Sequence, residues 1–263
     1  MNSSRTVEAT STKCAVHSEI AINQKAWDIV AHKFRGVCAL PVWGPFDVGK
    51  DRDLIGDVSG RVVLDVGCGS GHSIAYLVEK SAGKVFGLDF SATQVAFAAE
   101  LNREAIERGR VELIHGAMEE LLDLAPVDLI VSVQAMGWTL DPQALFRNLR
   151  SYLKPSGRLI WSWGHPLFDK VKYENGAFVL QQSYFDETAR FIPGWNGSEG
   201  VYIQNRTIAT WHRYQTDAGF VVRDLLEPLP LSTAEAPDDP VRYYSAAKAK
   251  HVPGTVIFVC EKR

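Results

Sequence analysis

The sequence predicts an α/β fold in which a mostly parallel sheet carries helices on both faces. From Arg61 onward, short runs rich in β-branched residues alternate with longer stretches of helical apolar spacing. Strands joined by helices pair in parallel, because each crossover returns over a face of the sheet. The first of these strands runs into three alternate glycines that open a helix, the turn that doubly wound sheets place at a strand's carboxyl end. With 263 residues, 46% of them hydrophobic, the chain suffices for one large domain carrying an elaborated cap.

Residues 1–20 are polar and aperiodic and are expected to form a flexible tail. Ile20, Trp27, Val30, Ala31 and Phe34 then recur at helical spacing, and the aromatic, turn-rich Leu40-Pro41-Val42-Trp43-Gly44-Pro45-Phe46 follows, so 21–54 reads as a helical lid with an ordered loop. The α/β domain takes 55–263. Its strands are expected at 61–66, 84–89, 111–114, 127–133 and 158–163, and its helices at 70–80, 91–108 and 142–153. Ser91 suits an N-cap, and Pro142 suits the first helical position after Asp141. The regularity breaks at about 165–206, an aromatic, glycine-punctuated stretch whose length marks it as an inserted cap; within it, 177–185 is expected to pair with 201–203. A helix at 207–218 and strands at 220–226 and 255–260 restore the pattern.

The net charge of −3 leaves no basic surplus, which disfavours long nucleic-acid partners. No run is long and apolar enough to span a bilayer, and the N-terminus has no apolar leader, so no membrane partner and a cytoplasmic location are expected. Cys14, Cys38, Cys68 and Cys260 lack paired spacing and read as reduced thiols; no His and carboxylate set has metal-ligand spacing, so no metal is expected.

The most informative segment is Val62-Val63-Leu64-Asp65-Val66-Gly67-Cys68-Gly69-Ser70-Gly71, an apolar strand running into a bare loop and a helix. Glycines here allow positive φ, close approach of backbone to a ligand, and tight helix packing. The dinucleotide fingerprint G-x-G-x-x-G would need glycine at His72, and no Gly-Lys-Ser/Thr follows for a phosphate loop. Asp65 would repel a pyrophosphate but can hold a cationic amino group, directly or through water. About 20 residues on, Asp89 ends a second strand where a carboxylate accepts ribose hydroxyls.

With Leu64-Asp65-Val66-Gly67-Cys68-Gly69-Ser70-Gly71, Gly87-Leu88-Asp89-Phe90-Ser91, Gly116-Ala117-Met118-Glu119-Glu120-Leu121, Val127-Asp128-Leu129-Ile130-Val131-Ser132 and Leu153-Lys154-Pro155-Ser156-Gly157-Arg158-Leu159 in this order, the chain resembles the class I S-adenosylmethionine-dependent methyltransferases, in particular the small-molecule branch related to methyltransferase type 11 enzymes. The resemblance implies a Rossmann-like, seven-stranded sheet with its last strand antiparallel. It implies S-adenosylmethionine as cofactor, with Asp65, Gly67, Cys68, Gly69 and Gly71 under the methionine moiety, Asp89 on the ribose, Phe90 and Met118 about adenine, Gln134 at the methyl-transfer region and Trp43 as a wall. Relatives often carry Asp at the position of Ala117, so here the adenine amino contact is absent, passes to water, or falls to another residue such as Glu119.

The expected acceptor is a small molecule methylated on O or N, and a homo-oligomer is left open. His165, directly after the fifth strand, is the candidate general base, its alternative being to cap the turn before Pro166. Trp138, Tyr184 and Arg206 are candidate acceptor contacts, although aromatics in the cap also build its core and Arg206 also suits a salt bridge. Competing expectations are C-methylation, or a methyltransferase fold that binds the cofactor without methyl transfer or uses it for another reaction such as cyclisation.

Overall fold

A computed structural model describes residues 4–232 and 239–263. The chain opens with α1 (Ser4–Val30), so the expected tail is helical from Ser4 onward, and only residues 1–3 of it lie outside the described residues. Extending a helix adds one hydrogen bond per residue fixed, and residues 4–20 hold no Gly or Pro to stop it.

The α/β unit follows as β1 (Val62–Val66), α2 (His72–Glu79), β2 (Lys84–Asp89), α3 (Ala92–Leu101), α4 (Arg103–Glu107), β3 (Val111–His115), β4 (Val127–Val133), α5 (Pro142–Tyr152) and β5 (Leu153–Gly164). The helix expected at 91–108 breaks at Asn102, whose amide donates to the carbonyls of Gly71 and Ala98 and ties α3 to the glycine loop. Ser91 and Asp141 cap α3 and α5 as their side chains suggest.

The insert holds α6 (Pro166–Lys170), β6 (Val171–Glu174), β7 (Ala177–Leu180), β8 (Arg190–Pro193) and β9 (Gly200–Ile203). The expected pairing of 177–185 with 201–203 is not formed. Instead β6 pairs with β7 and β8 with β9, as two separate antiparallel hairpins. Asn175-Gly176, both at positive φ, turn the first of them. This dipeptide favours a two-residue hairpin, and so local a closure wins over a distant strand.

After the insert come α7 (Ile208–Asp217), β10 (Phe220–Leu226), α8 (Ala246–Ala249) and β11 (Thr255–Lys262). The seven-stranded sheet has the order β10-β11-β5-β4-β1-β2-β3, with β1 to β5 parallel and the last strand, β11, antiparallel to both neighbours. Alternation along each strand divides the core between two faces. Leu64, Val66, Ile130, Trp161 and Phe258 pack with α5 and α7, while Val63, Val85, Val131 and Ile257 pack with α2 and the lid loop. Asp65 shares the register of Val63, which directs it to the lid side of the sheet.

The lid helix joins the two halves of the site. Buried Asn23 donates to the carbonyl of Tyr202 at 2.9 Å and accepts its N–H at 2.7 Å, serving β9 as a short stretch of neighbouring strand. On the other side Gln24 donates to the Phe90 carbonyl at 2.7 Å, and Asp28 accepts from Ser91 Oγ at 2.6 Å and Thr93 N at 3.1 Å. Replacing Asn23 by Ala leaves two backbone groups of Tyr202 unpaired and is expected to cost about 1–3 kcal/mol. Hydrogen exchange at the Tyr202 amide should speed up while the slowest amides of the central sheet keep their protection; unchanged exchange at Tyr202 would show that α1 does not hold the hairpin.

Candidate functional site

β1 ends at Val66, and the N–H groups of Gly67 and Cys68 donate to the Leu88 carbonyl at 2.7 and 3.0 Å, which locks the loop to the end of β2. A Cβ at Gly67 would lie 2.2 Å from Ala135 Cβ, so a side chain there would force β1 and β4 apart. Gly71 plays the packing role, since a Cβ would collide with Ala98 and Asn102. Gly69 differs: at φ +51 its Cβ would meet nothing nearer than Gln94 Oε1 at 3.9 Å. Bare backbone therefore faces the cleft where no protein atom demands it, as a loop that cradles a ligand requires.

Two carboxylates stand beside this loop. Asp89 accepts from Gly69 N and Ser91 N, both at 2.9 Å. Asp65 is 1% exposed, and its Oδ2 has no hydrogen-bond partner among the described residues. Burial, with Asp89 nearby, pushes Asp65 up to about 8; burial raises Asp89 to about 6 against the two N–H bonds it accepts. None of the ion pairs among the described residues involves either group. A buried carboxyl without a cation takes up a proton instead, and a cation placed there reverses this. Gln94 Oε1 is a further buried acceptor without a partner.

The lid covers the site. Phe34, Gly36, Val37, Cys38 and Ala39 line one wall of a cleft whose other wall holds Asp65, Gly67, Cys68 and Gly69. Gly36 N donates to Ser70 Oγ at 3.0 Å and Leu40 N to Ser73 Oγ at 3.1 Å, stitching the lid to the start of α2. His72 Nδ1 lies 3.0 Å from Ser70 Oγ, at this seam. The cleft measures about 60 Å³, far below the roughly 300 Å³ of a ligand pocket. A larger cleft, about 390 Å³, lies behind the lid loop between Leu40, Arg52 and Tyr76 and holds none of the loop glycines.

The other expected site residues fall in three groups. Near the loop, Gln134 ends β4 at φ +55 and donates through Nε2 to the carbonyl of buried Trp43 at 3.1 Å. Phe90 is held by its carbonyl, Met118 packs on the core, and burial pushes the Cys68 thiol far up, away from reactivity. Trp138 belongs to an aromatic cluster with Trp27, Phe34, Trp163 and Trp195, built from lid, core and cap, with centroids 4.9–5.8 Å apart. Trp27 Nε1 is buried there without a partner.

Three of the expected site residues have partners within the protein. His165 Nδ1 accepts from Leu167 N at 3.2 Å and caps α6, so the ring proton sits on Nε2 and goes to Glu227 Oε1 at 2.8 Å. Neither nitrogen is free to take a proton from an acceptor, and burial lowers the pKa of the ring against the pull of Glu227. Tyr184 uses its hydroxyl to accept from Ile208 N, a structural cap on α7. Arg206 is 2% exposed, donates to the Thr139 carbonyl and Gln204 Oε1, and lies over the Trp211 ring at 4.9 Å. It anchors the cap. Glu119 is likewise occupied, accepting from Thr139 Oγ1 at 2.7 Å and Leu140 N.

Gln24 and Asp28 were missed, although their i, i+4 spacing puts them on one face of the lid helix. Gln94 carried no signal beyond being a polar residue in the first turn of α3.

Residues 63–157 match the family model described as a methyltransferase domain. An uncharacterized protein of Haemophilus influenzae is 31% identical over 187 residues, 67% of this chain and 73% of its own length. A trans-aconitate 2-methyltransferase of Azoarcus is 36% identical over 112 residues, 41% of this chain and 42% of that enzyme. A rice protein named "Probable protein arginine N-methyltransferase 6.2" is 29% identical over 151 residues, 54% of this chain and 37% of that protein. The matches thus span less than half the length of these two named relatives. The solved structure of an S-adenosylmethionine dependent methyltransferase from Mesorhizobium loti shares the fold, with a TM-score of 0.67 at 23% identity over 80% of this chain and 95% of that one. Residues 63–157, which include the strands that carry Asp65 and Asp89, thus belong to the methyltransferase-domain family, and most of the chain shares the fold of an S-adenosylmethionine dependent methyltransferase.

Proposed function

We propose that this chain transfers the methyl group of S-adenosylmethionine to an O or N atom of a small-molecule acceptor. The observation that carries the reading is the orphaned Asp65 carboxylate beside the bare Gly69 backbone. The residues fit the cofactor: Asp65 would take its amino group, Asp89 retains lone pairs for ribose hydroxyls, and Gln94 offers a further acceptor. When bound, S-adenosylmethionine would supply a sulfonium methyl carbon to an acceptor lone pair, with the thioether S-adenosylhomocysteine as leaving group and the acceptor proton going to solvent.

The chain's contribution is positional. The lid residues 34–39 close over the glycine loop and exclude water, and the aromatic cluster around Trp138 forms an apolar flank. Bringing nucleophile and methyl together in a dry site can supply much of the acceleration without a base. The trans-aconitate relative supports a small acceptor, in keeping with a chain that shows no basic surplus.

Proton linkage follows from the raised Asp65. At pH 7 its carboxyl is neutral in the free protein; an ammonium beside it favours the carboxylate, so binding expels the proton and affinity rises as pH climbs from about 6 to 8. Calorimetric titration with S-adenosylhomocysteine in buffers of different ionisation enthalpy should show release of about one proton at pH 7. Uptake, or no exchange, would mean that Asp65 does not meet the amino group.

Replacing His165 by Asn keeps an N-cap acceptor for α6 and should leave turnover within a few-fold, measured as S-adenosylhomocysteine release with an acceptor found by screening. A fall of about 10²-fold or more in kcat, with cofactor affinity unchanged, would restore His165 as the base.

A further inference from the structure

The lid strip serves two clefts. Residues 36–39 line the cleft of the glycine loop, and Leu40 and Trp43, which follow them in the chain, line the larger cleft of about 390 Å³. The helix α2 is shared in the same way. His72 and Ser73 line the first cleft, whereas Tyr76 and Lys80, on the helical face of Ser73, line the second. The two clefts therefore lie back to back along one strip and one helix.

The walls of the second cleft are fixed. Trp43 N donates to the Val48 carbonyl at 2.9 Å, and a Cβ at Gly49, which sits at φ +75, would come within 2.8 Å of the Trp43 ring. Arg158 of β5 donates to the carbonyls of Leu54 at 2.6 Å and Ile55 at 3.3 Å, which ties that wall to the sheet. The volume lies within the range of roughly 300–1,000 Å³ that small-molecule pockets occupy.

The charged groups of this cleft are uncommitted. Lys50, Arg52 and Lys80 line it with Asp51 and Asp53, all five exposed. None of them enters an ion pair among the described residues. Asp53 already accepts from Gly56 N at 3.1 Å, and Lys80 Nζ lies 5.6 Å from the Tyr76 ring centroid. Three cations against two carboxylates, one of them engaged by backbone, leave positive charge facing a cleft whose apolar wall is Leu40, Trp43 and Leu54. An anion carried on an apolar body would satisfy both.

We infer that this cleft is a second ligand site, which takes a small organic anion with its carboxylate or phosphate toward Lys50, Arg52 and Lys80 and its apolar body against Tyr76 and Leu54, and whose occupancy tightens cofactor binding through the lid. Leu40 N donates to Ser73 Oγ at 3.1 Å, and the Trp43 carbonyl accepts from Gln134 Nε2 at 3.1 Å. The residues that the anion would press against are thus those that hold the lid to α2 and to the end of β4. Such coupling is reciprocal, so the cofactor tightens the anion by the same factor. Only the coupling rests on cofactor binding at the glycine loop; the anion site stands without it.

The test is calorimetric titration of the full chain with benzoate, phenyl phosphate and neutral benzyl alcohol, each with and without saturating S-adenosylhomocysteine. Benzoate or phenyl phosphate should bind and raise the melting temperature while benzyl alcohol does not; which anion binds more tightly separates a carboxylate ligand from a phosphate one. Arg52→Gln and Lys80→Gln should each weaken the anion about fivefold and leave the affinity for S-adenosylhomocysteine alone unchanged. Saturating anion should raise S-adenosylhomocysteine affinity about fivefold. Binding of neither anion, equal binding of benzoate and benzyl alcohol, or undiminished anion binding by both variants overturns the site. An anion that weakens S-adenosylhomocysteine occupies the cofactor cleft and also overturns it, and an unchanged S-adenosylhomocysteine affinity overturns the coupling. Anion binding in a chain that does not bind S-adenosylhomocysteine leaves the site standing and overturns the methyl-transfer reading instead.

Discussion

A pair of carboxyl groups held out of water at the ends of two neighbouring parallel strands is the constraint on which this structure turns. Asp65 on β1 and Asp89 on β2 are both buried, and the register sets Asp65 against Gly87. A Cβ at Gly87 would come within 2.4 Å of Ile74 and 3.1 Å of Cys68 Sγ, so the strand beneath the loop has to be as bare as the loop itself. Burying two like-charged groups is costly unless one stays protonated or a cation arrives. In the proposed reading the fold holds the protonated form in place, and the amino group of the ligand supplies the cation.

The lid acts on the same pair. α1 brings Asp28 to the N-terminus of α3, where it takes the Ser91 hydroxyl and raises Asp89 further. The same helix grips β9 through Asn23, so one element holds both the loop after β2 and the cap hairpin. With the lid in place Asp89 is buried, and Trp27, Phe34, Trp138 and Trp195 pack into one aromatic flank. Trp27 Nε1 is buried in this cluster without a hydrogen-bond partner among the described residues.

Much of the sheet was legible because its signals are local: β-branched runs, the Ser91 and Asp141 caps, and glycines whose spacing excludes a dinucleotide. What escaped was set by contacts across the chain. The residues before Ile20 show no apolar period, yet the helix that ends at Val30 begins at Ser4. The hairpins of the cap follow Asn175-Gly176, a turn signal weaker to the eye than the long apolar run beside it. His165 stood where a base belongs, but which of its nitrogens is free depends on Leu167 N and on Glu227, far along the chain. Arg206 and Tyr184 had the right chemistry for a ligand and were committed to backbone partners that no spacing rule reveals.

The central claim, that Asp65 waits for the amino group of the cofactor, is tested most directly by a double-mutant cycle on the ligand. Affinities of S-adenosylhomocysteine and of its analogue lacking the α-amino group are compared on the native chain and on Asp65→Asn, with melting curves to confirm folding. A preference for the amino compound of about tenfold or more that collapses in Asp65→Asn is the predicted result. An equal preference in both chains would place the amino group elsewhere and leave the buried carboxyl without its ligand.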